Sequence, residues 1–91
     1  MPFVLPLPAK CPEWTAKIHD REQLEAPHIT IYSPDGRKWR WSLREPGFLD
    51  TDPDPRHVHR DVVATLELNL GLMCDEWDAR FPENPVHAKE D

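Results

Sequence analysis

The residues in this sequence best suited to chemistry are its histidines, five in a chain of 91. His57-Val58-His59 carries two imidazoles two positions apart, a spacing that sets both rings on one side of a strand but not of a helix. His19 and Asp20 precede a polar segment and His28 follows it, so a loop there can gather the three as a polar site at a sheet end. Such a trio suits proton transfer once its members stand within hydrogen-bond reach. Zinc normally takes three or four ligands in closed geometry, and Cys11 and Cys74 supply no Cys-x-x-Cys pair. No metal and no cofactor is therefore expected. The chain also lacks GxSxG, a glycine-rich phosphate loop and HExxH, so no catalytic residue is assigned. Reduced thiols are expected, with Cys74 acting as a small buried hydrophobe.

A second group is basic. Arg37, Lys38, Arg40 and Arg44 cluster around Trp39 and Trp41, a combination that suits an anion or an RNA with bases stacked on the rings. A formal charge of −6 works against nucleic acid as the main partner. The tryptophans also alternate with the basic residues and share the apolar face, which favours a solvated strand face over a binding face. A third group is apolar: Leu68 and Leu72 are four apart, near Val58 and Thr65, and fall opposite the core stripe of a helix. A small two-layer domain has nothing of its own to cover them, so they are an isolated exposed pair, a pair covered by the proline-rich arm, or the candidate contact for another protein or a second copy of the chain.

These groups need a frame. His28–Tyr32 alternates with β-branched residues, Lys38–Leu43 alternates again, and Ser33-Pro34-Asp35-Gly36 lies between them. Proline at the second turn position and glycine at the fourth predict a type I turn with a bulge. The hairpin's inward face is then Ile29, Ile31, Trp39, Trp41 and Leu43. Trp14, Ala16 and Ile18 predict a further half-buried strand, and Gly47-Phe48-Leu49 a short one at the sheet edge. Placed on a helix, residues 62–81 gather Val62, Val63, Leu66, Leu70, Met73, Trp77 and Phe81 into one stripe, with Gly71 off it. Asp54 with Pro55, or Asp61 in a later first turn, supplies the start, and Pro82 the stop.

The expected architecture is α+β: a small antiparallel sheet of three to four strands, with its central hairpin at 28–43, packed against one long C-terminal helix. Residues 14–82 form the domain. Residues 1–13, with prolines at 2, 6, 8 and 12, form an extended arm, draped or loose, and 83–91 a flexible tail. Met1–Pro8 is apolar but broken by proline and has no basic stretch before it, so it does not read as a signal peptide. No run approaches the length of a membrane span, and the expected location is cytoplasmic.

The order of these signals resembles a known family. A strand ends in His19-Asp20, a loop leads to Ala26-Pro27-His28-Ile29-Thr30-Ile31, a hairpin follows, and a helix ends near Trp77. This layout, over about residues 14–81, is similar to the small bacterial domains of unknown function 4160. Their motif runs asparagine or aspartate–histidine, then proline–histidine–x–histidine. Here His19 and Asp20 stand in reverse order, the loop to Pro27 is longer, and Thr30 takes the place of the second histidine. The resemblance implies a sheet with a terminal helix, a bacterial cytoplasmic protein near toxin–antitoxin genes, and no established activity. The expected role is a non-catalytic interaction module that pairs with itself or a protein partner. The alternative is a nucleic-acid- or anion-binding regulator using the basic strand.

Overall fold

A computed structural model describes residues 2–20 and 25–86. Its strands β1 (Phe3–Val4), β2 (Thr15–Ile18), β3 (His28–Tyr32), β4 (Lys38–Ser42) and β5 (Gly47–Phe48) form one sheet. They are antiparallel neighbours in chain order. After β5 come a single 3₁₀ turn (Pro55–His57) and the helices α1 (Arg60–Leu68) and α2 (Leu70–Arg80). The expected α+β class is what the chain adopts, with five strands rather than three or four.

The hairpin forms where its turn chemistry places it. Gly36 N–H donates to the Ser33 carbonyl at 3.1 Å, and Gly36 takes φ +88°, the left-handed region open to glycine. Ile31 pairs with Trp39 and Ile29 with Trp41 across the strands. Ile29, Ile31, Trp39, Trp41 and Leu43 are all buried, each at most 2% exposed. Burying each such side chain contributes roughly 1.5–3 kcal/mol. From the helices Val62, Leu66, Met73, Trp77 and Phe81 join the same core, while Val63 and Leu70 pack at its margin. Val58 is buried with them, which corrects its placement on the outer helix face.

The one long helix is corrected to two. Asn69 sits at φ −112°, ψ 18°. Its N–H bonds back to both Thr65 and Leu66 carbonyls, and its Nδ2 donates to Thr65 O at 2.8 Å. An asparagine amide competes with the backbone for its own turn, and Gly71 lowers helix propensity just beyond it. The helical course resumes with Met73 N–H on Asn69 O at 2.9 Å, so the apolar stripe continues across the break. Both candidate starts are used. Asp54 caps the 3₁₀ turn with Pro55 at its first position, and Asp61 lies in the first turn of α1, whose cap is His59.

The domain limits also change. The arm pairs with β2 through Phe3 and Val4, and Leu5 and Cys11 are buried. The stretch after Pro82 is no loose tail as far as Val86, itself 1% exposed. Asn84 O accepts from Trp77 Nε1 at 2.7 Å, Asn84 Nδ2 donates to Glu25 O at 2.8 Å, and Val86 N donates to Asp78 Oδ1 at 2.8 Å. The domain thus runs from Phe3 to Val86. Residues 87–91 of the expected tail, and 21–24 of the expected polar loop, lie outside the described residues. No helix of the described residues is long and apolar enough to cross a membrane.

Candidate functional site

The outer face of the helix pair carries the leucines named from the sequence. Leu68 closes α1 and is 86% exposed, and Leu72, one turn on in α2, is 46% exposed. Ala64, Gly71 and Ala79 are exposed on the helices beside them. A shallow groove of about 410 Å³ runs between α1 and the arm, walled by Pro8, Ala9 and Lys10 on one side and Asp61, Ala64, Thr65 and Leu68 on the other. The arm therefore flanks the leucines without covering them.

The basic residues are largely committed within the fold. Arg40 is held by Asp50 and Glu25: its Nη2 lies 2.9 Å from Asp50 Oδ1 and its Nη1 2.9 Å from Glu25 Oε1. Its backbone N–H also donates to Asp50 Oδ2 at 2.8 Å. These hydrogen bonds hold the Asp50 carboxyl below the usual range and keep the guanidinium charged. Arg44 donates to the carbonyls of Val86 and Pro85 and to Asn84 Oδ1, all at 2.9–3.0 Å, and so fastens the C-terminal segment. Arg37 pairs with Asp35 at 3.2 Å. Lys38 is exposed, at a groove on the outer sheet face that also gathers Arg40, Glu25, Asp50 and Asp52. Three carboxylates against two cations do not attract an anion. Trp39 and Trp41 are core residues with no ring face open for stacking, and Trp39 Nε1 donates to Pro53 O at 2.8 Å.

Within the polar trio, His19 and His28 bond to different neighbours. His19 Nε2 lies 2.7 Å from the Tyr32 hydroxyl, while Asp20 is exposed at the end of its strand. His28 is buried, its Nδ1 donates to Ala26 O at 2.8 Å, and its ring packs against Trp77 at 5.6 Å between centroids. His28 thus pins the loop to the helix layer.

One cluster was not foreseen. Cys11, His59 and Asp61 present ligand atoms within 4.8 Å of one another, the only such group of three or more among the described residues. Cys11 Sγ lies 3.7 Å and Asp61 Oδ2 3.8 Å from the same atom, His59 Nδ1. A nucleophile–base–acid relay uses the two ring nitrogens separately; with both partners on Nδ1, this cluster is not one. Burial and, secondarily, the Asp61 charge also push the Cys11 thiol up, away from the reactive thiolate. No protein-family model, curated protein or solved structure matches the chain. Cys11 and His59 stand 48 residues apart, so no local spacing joins them. The one usable signal is His59-Arg60-Asp61 at a helix start, two ligand types aligned where a helix begins.

Proposed function

We propose that this chain is a non-catalytic interaction module that pairs with a second copy through the outer helix face around Leu68 and Leu72. The carrying observation is Leu68, 86% exposed at the rim of the groove between α1 and the arm. Small residues along the same outer face (Ala64, Gly71 and Ala79) allow a partner helix to come close. Lys10 stands at the α1 end of this face and Asp75 at the α2 end, so an antiparallel two-fold pairing sets opposite charges against each other. Magnitude decides the strength. Four leucines contribute at most about 6–12 kcal/mol, against an association cost of about 4–15 kcal/mol. Such a pairing is weak and concentration-dependent.

The anion-binding alternative is the weaker reading, because Arg40 and Arg44 are occupied and the outer groove carries excess carboxylate. The likeness to the domains of unknown function 4160 joins the proposal as a bacterial, cytoplasmic setting for the module and adds no activity. Light scattering across a range of concentrations tests the pairing. The parent's mass should rise towards the dimer, and Leu68→Glu with Leu72→Glu should stay monomeric. A parent that remains monomeric throughout overturns the proposal.

A further inference from the structure

We infer that Cys11, His59 and Asp61 form a binding site for a zinc-class divalent transition metal, joining the proline-rich arm to the start of α1. The three ligand atoms come from two chain segments that only the fold brings together. In a tetrahedral zinc site, bonds of about 2.0–2.3 Å place ligand atoms roughly 3.3–3.6 Å apart. The sulfur–nitrogen separation of 3.7 Å is already close to such an edge, and nitrogen–oxygen at 3.8 Å needs a small closure. The side chains of His59 and Asp61 are 35% and 32% exposed, so both have room to rotate. Cys11 is fixed: it is 3% exposed, and its N–H is tied to Pro8 O at 2.9 Å.

The donor set identifies the class of ion. A thiolate, an imidazole and a carboxylate together carry charge −2, which neutralises a divalent ion. Thiolate disfavours magnesium and calcium, and the mixed sulfur–nitrogen–oxygen set suits zinc or cobalt. Binding exchanges one interaction for another. His59 Nδ1 now accepts the Asp61 N–H at 3.0 Å as the cap of α1; on metal binding that lone pair moves to the ion. The Cys11 thiol gives its proton to solvent as the sulfur–metal bond forms, so one proton is released per ion. Three protein ligands leave a fourth position for water. Asp61 also walls the groove below Leu68, so the site adjoins the pairing face without depending on it.

The test is a titration of the reduced full chain with cobalt(II), then zinc. One equivalent of cobalt should give a near-ultraviolet thiolate-to-cobalt band and tetrahedral visible bands, both lost on adding zinc, with one proton released. Cys11→Ser should abolish the thiolate band. His59→Asn should abolish or greatly weaken it, while the asparagine still caps α1, so loss of binding is separable from loss of the helix. Cys74→Ser and His57→Ala should bind as the parent does. Three results overturn the proposal: no thiolate band in the parent, an unchanged band in Cys11→Ser, or a band that follows Cys74. Cobalt binding without sulfur character counts against it too, as surface histidine binding.

Discussion

Trp77 and Asn84 are joined by an indole N–H donating 2.7 Å to a main-chain carbonyl, which locks the chain after α2 back onto the helix it has just left. The indole is fully buried, so its only route to satisfaction runs through that segment. Ending the chain at Pro82 strands the indole N–H and uncovers the pocket filled by Val86. The expected loss is on the order of 3–5 kcal/mol, a large part of the roughly 5–15 kcal/mol typical of a domain. Urea unfolding of the two chains measures it, and equal midpoints would show the segment to be dispensable.

Asp50 should give the fold an acid-sensitive component. Arg40 holds its carboxyl below the ordinary value, whereas in the unfolded chain it titrates near about 3.9. The stabilisation is therefore complete above about pH 4 and drains away as pH falls through the lower folded value. Since both side chains are partly exposed, at 42% and 28%, Asp50→Asn should cost only about 1 kcal/mol at neutral pH. Denaturant melts at neutral and at acid pH should show that cost shrinking on acidification; a constant cost would mean packing, not charge.

Glu13 is held at φ 65° between Cys11 and Trp14. An L residue pays for this left-handed backbone where glycine does not. Glu13→Gly is expected to raise stability by up to about 1 kcal/mol, the relief of strain exceeding the added freedom of the unfolded chain. A fall in the thermal midpoint would contradict this.

Gly71 lies in the first turn of α2, and a Cβ added there meets nothing within 4 Å. Gly71→Ala should stabilise the monomer by about 0.5–1 kcal/mol through helix propensity. Circular-dichroism melts at low concentration isolate this from pairing. No gain there would indicate that the backbone at this point departs from regular helix.

The sequence-legible parts share one property: their determinants are local. The Pro34–Gly36 turn, the alternation around Trp39 and Trp41, and the stripe from Val62 to Phe81 each draw on residues within a turn or two of one another. The missed parts are contacts at long range or competitions at short range. Phe3 and Val4 read as arm because their partners, Ile18 and Lys17, lie beyond three prolines. Asn69 read as an ordinary helix position, since periodicity does not register a side chain bonding to its own previous turn. The leucine pair was visible because exposure follows from helical phase. The Cys11–His59–Asp61 cluster was not, because only the folded arm carries Cys11 to α1.

The two outermost strands of the sheet are each two residues long, Phe3–Val4 and Gly47–Phe48. Pro2, Pro6 and Pro8 bracket the first, and Pro46 precedes the second. A foreign strand seeking an unpaired ladder finds at either side only a few main-chain groups before a proline interrupts it. The hydrophobic centre, Ile29, Ile31, Trp39 and Trp41, is the kind of segment that stacks into fibrils when laid bare. Here β3, with Ile29 and Ile31, lies two strands in from either border, and β4, with Trp39 and Trp41, lies one strand in. Edge-to-edge growth of the sheet is thereby blunted.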